Sequence, residues 1–99
     1  MHTLSFIKET LSQYFADQPV TKAWVFGSYA RGEQTPQSDL DILVVFDEND
    51  YPSLLSHAGM VCDLEDLFNM KIDLVPQDNL YPQVRNSIEK NKILIYERN

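Results

Sequence analysis

Apolar residues recur along the chain at the three- and four-residue intervals of an amphipathic helix. Over residues 4–15 this spacing predicts a first helix, with Thr3 as its N-cap and Pro19 closing the segment. The same spacing over residues 53–68 predicts a longer helix, and residues 82–90 a short one in which the leading proline is tolerated. These helices alternate with short apolar runs, so we expect an α/β (α+β) chain.

The apolar runs between the helices are rich in β-branched and aromatic residues, which predicts strands. The helix between the second and third strands is long enough to return the chain parallel to its predecessor. We therefore expect a mixed, mainly four-stranded sheet with helices packed on it. The predicted strands cover residues 22–26 (KAWVF), 39–46 (DLDILVVF), 71–75 (KIDLV) and 92–96 (KILIY).

The size and charge of the chain narrow the possible functions. The 99 residues predict one domain over residues 1–99, without linker or low-complexity composition. Eight basic against fifteen acidic residues give a net charge of −7, which disfavours direct binding to nucleic acid or to anionic membranes. We expect a cytoplasmic protein, because neither a signal sequence nor a membrane span is recognisable. The single Cys62 is expected to be a buried small hydrophobe.

Three aspartates are predicted to meet at one end of the sheet. Asp39 and Asp41 alternate with Leu40, so they share a face of their strand about 6.6 Å apart. Parallel pairing with the next strand would bring Asp73 beside them. Converging carboxylates repel one another unless a cation binds between them. A site made only of oxygen ligands suits Mg²⁺ or Mn²⁺, and carboxylates of this kind can also bridge two such ions. The alternative to a metal site is that Asp39 caps a turn, while Asp41 and Asp73 are solvated charges on the strands.

The turn that precedes these aspartates has features of a phosphate site. Gly27 and Ser28 follow an apolar strand and would present backbone N–H groups and a hydroxyl at a helix start. Arg31 lies one turn further and is the only cation of the stretch. It could contact a phosphate or form a surface salt bridge with an acidic neighbour.

The combined motif resembles the nucleotidyltransferase superfamily that includes DNA polymerase β. The pattern is G-S-x-A-R-G, then S-D-x-D before an apolar strand, then a lone aspartate in a later strand, and the likeness covers residues 24–75. At this small size it is most similar to the minimal nucleotidyltransferases, or MNT antitoxins, encoded beside HEPN-domain toxins. The resemblance implies that Gly27 and Ser28 hold the β- and γ-phosphates of ATP, and it assigns Arg31 and Ser38 to the same nucleotide site.

The same resemblance implies the chemistry. Asp39 and Asp41 would ligate Mg²⁺, while Asp73 would complete the metal site and help to deprotonate the incoming hydroxyl. Members of this kind transfer AMP from ATP to a tyrosine of the HEPN toxin encoded nearby and so act as its antitoxin. Two alternatives stay open: a catalytically silent module that neutralises its partner by contact, and a subunit of a small-molecule (antibiotic) nucleotidyltransferase.

Several other residues invite a functional interpretation. Trp24 and Phe26 are expected in the core, whereas Tyr29 is expected near the nucleotide. His2, at an end expected to fray, and His57 are expected to have surface or structural roles. The helix stripes and the KILIY edge strand are candidate surfaces for homo- or hetero-oligomer contacts.

Overall fold

The computed structural model describes residues 2–98, so residues 1 and 99 of the predicted domain lie outside it. Four α-helices alternate with the strands, and two short 3₁₀ turns occur at Glu48–Asp50 and Gln77–Asn79. No helix within the described residues is long and apolar enough to cross a membrane. The helices are α1 (Leu4–Phe15), α2 (Gly27–Arg31), α3 (Leu54–Phe68) and α4 (Pro82–Asn91).

The helix ends follow the local chemistry of the sequence. The Thr3 hydroxyl accepts the backbone N–H of Phe6 at 3.1 Å, which confirms Thr3 as the cap of α1. Ser53 caps α3 in the same way, and α3 ends at Asn69, whose φ of 52° lies in the left-handed region. Gly32, with φ 72°, ends the short α2 after little more than one turn.

The four strands form one mixed sheet in the order β3-β2-β1-β4. The central strand β1 is antiparallel to both of its neighbours, and β2 pairs with β3 in parallel. The predicted parallel crossover and the predicted mixed sheet are therefore confirmed. The strands are β1 (Val20–Phe26), β2 (Leu40–Phe46), β3 (Ile72–Pro76) and β4 (Ile93–Glu97).

The two faces of the sheet are covered differently. One face carries the main core, in which side chains of α1 and α3 pack with alternate residues of β2. Leu43 points to the opposite face and is buried outside that core, as is Ile88 of α4. The helix α4 lies beside this face, because its residues and Asp41 line a common cleft. Asp41 shares the side of β2 on which Leu43 lies, so the open part of this face is available to a ligand.

Two predictions about the burial of individual side chains were wrong. Cys62 is exposed, because it lies on the outer side of α3. Leu54 and Leu55, counted in the apolar stripe of α3, are 89% and 85% exposed. The expected structural role of His2 is confirmed, because its Nε2 lies 2.6 Å from the carbonyl oxygen of Phe68.

Candidate active site

An open cleft of about 410 Å³ lies where β1 passes into α2, beside the start of β2. The helices α2 and α4 contact each other and form its walls. The cleft contains five of the seven residues predicted for the site, with a phenylalanine and one face of α4. Its lining residues are Phe26, Gly27, Ser28, Arg31, Asp39, Asp41, Val84, Ser87, Ile88 and Asn91.

Gly27 brings the turn unusually close to the acidic strand. Its φ of 71° lies in the left-handed region, where a side chain is strained. A Cβ atom at this position would overlap Oδ2 of Asp41 and lie 3.1 Å from its Cγ. Only glycine therefore allows the backbone that starts α2 to lie against the carboxylate. The predicted phosphate turn and the predicted metal ligand are in direct contact.

The register of the sheet determines the placement of the aspartates. Asp41 stands opposite Phe26 on β1 and opposite Asp73 on β3. The backbone N–H of Leu40 donates to the carbonyl of Lys71 at 3.0 Å, which fixes the start of β2 against the chain entering β3. Asp39 precedes that point and is exposed in the cleft. The predicted neighbourhood of Asp41 and Asp73 is thus present in the backbone pairing.

The surroundings of Asp41 disfavour its negative charge. Burial, followed by repulsion from Asp73 and then Asp39, raises its pKa from 3.8 to about 6. The positive charge of Arg31 opposes this rise in pKa without cancelling it. A half-buried carboxylate held beside two others is the electrostatic situation that a bound cation relieves.

The donor atoms around the cleft fit a hard cation, although the three side chains do not yet enclose one. Within residues 2–98 no three carboxylate, imidazole or thiol groups stand close enough together to hold a metal ion as they are. Asp39 and Asp41 line the cleft, while Asp73 is exposed beside it. The oxygen-only set is that of Mg²⁺ or Mn²⁺ rather than zinc. Asp73 would have to turn inward to join the other two.

Comparison with known proteins identifies the family. The model of the nucleotidyltransferase domain family matches residues 4–95 of this chain. The chain belongs to this family. A nucleotide substrate is therefore expected of the cleft, and the activity of the family is nucleotidyl transfer.

Relatives of this nucleotidyltransferase in curated collections carry a more specific name. A protein of Methanocaldococcus jannaschii, named a putative protein adenylyltransferase, is 43% identical over 100 residues, covering 96% of this chain and 100% of the relative. The protein adenylyltransferase MntA of Thermococcus cleftensis is 37% identical over 76 residues, covering 77% and 75% of the two chains.

Solved structures share the nucleotidyltransferase fold. A structure described as a putative minimal nucleotidyltransferase has a TM-score of 0.77 at 36% identity, covering 92% of this chain and 91% of that one. The MNT antitoxin in a complex with a tri-AMPylated Shewanella oneidensis HEPN toxin has a TM-score of 0.72 at 14% identity, covering 95% and 72%. The second likeness shows the fold alone.

Two residues predicted for the nucleotide site, Ser38 and Arg31, form hydrogen bonds with residues close to them in the chain. The Ser38 hydroxyl accepts the backbone N–H of Thr35 at 2.9 Å and closes the loop before β2. Arg31 lies in the cleft, but its Nε donates to Glu33 at 2.6 Å across an exposed ion pair. Tyr29, expected near the nucleotide, is buried in the core, so that prediction was wrong. For Ser38 a role at the nucleotide stays a prediction.

The α4 wall was missed by the sequence analysis. Val84, Ser87, Ile88 and Asn91 lie at intervals of three and four residues, which places them on one side of the helix. The sequence shows this spacing, but it does not tell whether that side of the helix packs on the sheet or lines a cleft. Phe26, expected in the core, is half-buried and lines the cleft.

Proposed function

We propose that this chain is a Mg²⁺-dependent protein adenylyltransferase that transfers AMP from ATP to a tyrosine hydroxyl of a HEPN-type partner encoded nearby, and so acts as an antitoxin. The observation that carries the proposal is the contact between Gly27 and Asp41, which joins the predicted phosphate-binding turn to a carboxylate with a pKa of about 6.

The residues of the cleft fit a divalent cation with a triphosphate. Asp39 and Asp41 would be the first ligands, and Asp73 would complete the set. Gly27 and Ser28 would bind the β- and γ-phosphates through a backbone N–H and a hydroxyl. When bound, one or two Mg²⁺ ions, or Mn²⁺, would neutralise charge on the phosphates.

The chemistry required of the protein itself is mainly positioning and proton removal. The acceptor oxygen attacks the α-phosphorus of ATP, the bond from that phosphorus to the bridging oxygen breaks, and pyrophosphate leaves. The proton of the acceptor hydroxyl passes to the carboxylate of Asp73, which stands beside Asp41. Arg31 would neutralise phosphate charge once it releases Glu33.

The nature of the acceptor follows from the relatives. The curated relatives are named protein adenylyltransferases, and the first of them aligns along its full length with this chain. Related folds occur in complexes of MNT antitoxins with HEPN toxins, one of which is AMPylated. A protein partner of the same type is therefore the acceptor we propose.

The experiment is to incubate the purified chain with ATP, Mg²⁺ and the product of the neighbouring gene, and to weigh the partner by intact mass spectrometry. We expect additions of whole AMP units, lost in Asp39→Asn and Asp41→Asn and retained in the control Asp17→Asn, whose carboxylate is exposed in the turn after α1. An unmodified partner that is still neutralised by both site variants would contradict catalysis and identify a binding module.

A further inference from the structure

The α4 wall of the cleft combines apolar and hydrogen-bonding groups on one side of a helix. Val84 is 41% exposed there, while Ile88 is buried. Ser87 and Asn91 alternate with them at helical spacing and are exposed. The same cleft also contains the carboxylates and the Gly27 turn, and this part is called its carboxylate end below. The cleft thus combines a carboxylate end with an α4 wall of mixed apolar and polar groups.

We propose that the side of α4 formed by Val84, Ser87, Ile88 and Asn91, together with Phe26 at the end of β1, binds the nucleobase and selects adenine. This inference rests on the proposed function, because it assumes that a triphosphate occupies the carboxylate end. The base would extend from that end toward α4. An apolar surface with a few polar groups that fix orientation is the usual composition of a site for a small ligand.

The apolar groups are suited to the faces of a planar base. Phe26 is half-buried at the last position of β1, and the exposed part of Val84 is surface that a base would remove from water. A purine covers more of this surface than a pyrimidine because it has two rings. The wall therefore favours purine nucleotides over cytidine and uridine nucleotides.

The polar groups distinguish between the purines. The Asn91 side-chain nitrogen donates to the carbonyl of Ser87 at 3.3 Å, which leaves the amide oxygen and one N–H for a ligand. Asparagine pairs well with adenine, accepting from the exocyclic amino group and donating to a ring nitrogen. Guanine has an oxygen in place of that amino group, and this oxygen would face the amide oxygen of Asn91. Adenine is therefore the favoured base.

The test is equilibrium binding of non-hydrolysable α,β-methylene analogues of ATP, GTP and CTP, and of inorganic tripolyphosphate, all with Mg²⁺. The wild-type chain should bind the ATP analogue roughly tenfold or more tightly than the GTP analogue. Asn91→Ala should bind the two analogues about equally while keeping its affinity for tripolyphosphate, which uses only the carboxylate end. Asn86→Ala, exposed on α4 outside the cleft, is the matched control and should behave as wild type.

The outcomes separate this inference from the proposed function. Equal wild-type affinity for the ATP and GTP analogues, or full discrimination in Asn91→Ala, would overturn the assignment of the base while leaving the triphosphate site intact. A raised KM for the acceptor protein in Asn91→Ala, with ATP affinity unchanged, would assign the wall to the acceptor instead. Failure of the wild type to bind any analogue or tripolyphosphate would overturn both the inference and the proposed function.

Discussion

Replacing Asp41 by asparagine should stabilise the protein at neutral pH, although the same change should abolish its activity. The carboxylate has a pKa of about 6 in the folded chain, against an ordinary value of 3.8. A group whose pKa is higher in the folded chain than in the unfolded chain makes its full contribution to stability at a pH below the unfolded value. That contribution is lost as the pH rises through the folded pKa. Above pH 6 the charged Asp41 therefore destabilises the metal-free fold.

The magnitude follows from the pKa shift. The difference between 3.8 and about 6 corresponds to about 3 kcal/mol without correction. Because Asp41 is only half-buried, solvent screening reduces this to about 1–2 kcal/mol. Asparagine has nearly the same shape and carries no charge, so Asp41→Asn should gain that amount above pH 6. For a chain of this size the melting temperature should rise by at least about 4 °C.

The assay is thermal and urea unfolding of the wild type and Asp41→Asn from pH 3.5 to pH 8, in the presence of a chelator. The two proteins should differ little below about pH 4, and the variant should become the more stable one as the pH rises through 6. Asp17→Asn, a change at an exposed carboxylate, should show no such crossover. A pH-independent difference, or a variant less stable than wild type at pH 8, would refute the electrostatic reasoning.

Three further predictions concern the fold around the site. Gly27→Ala should destabilise the protein more than Gly32→Ala, because both have positive φ but only the first Cβ would overlap a neighbouring side chain; equal losses in urea unfolding would remove the steric argument. Leu64→Ala should lower the free energy of unfolding by about 2–5 kcal/mol and Leu54→Ala by little, since the first side chain is buried and the second is 89% exposed; comparable losses would mean that the outer side of α3 is covered in solution. Lys92→Met should lower stability by about 0.5–2 kcal/mol and change the tryptophan fluorescence, because the ammonium lies 4.1 Å from the centre of the indole ring; an unchanged emission spectrum would contradict that contact.

The parts of the fold that the sequence predicts well depend on local spacing and connection length. The helix between the second and third strands is long enough to require a crossover, and the parallel pairing of β2 with β3 follows. From that pairing alone, Asp41 and Asp73 become neighbours. The close approach of Gly27 to Asp41 was not predictable in the same way, because it depends on how β1 and β2 pair in antiparallel register.

The residues that were misjudged are those whose burial depends on which surfaces neighbouring elements cover. Apolar spacing alone cannot tell which residues of α3 neighbouring elements cover, so Leu54, Leu55 and Cys62 were expected inside and are exposed. Tyr29 sits between two glycines of the motif, yet its side of α2 faces the core. The role of α4 was missed because a helix contributes to a cleft only through its tertiary placement.

The central claim is that the cleft transfers a nucleotidyl group, and the most direct measurement is the fate of the phosphates of ATP. The chain and its partner would be incubated with ATP labelled at either the α- or the γ-phosphate. Label should reach the partner from the α-position only, and it should disappear in Asp41→Asn. Transfer from the γ-position, or α-label transferred equally well by Asp41→Asn, would contradict the account.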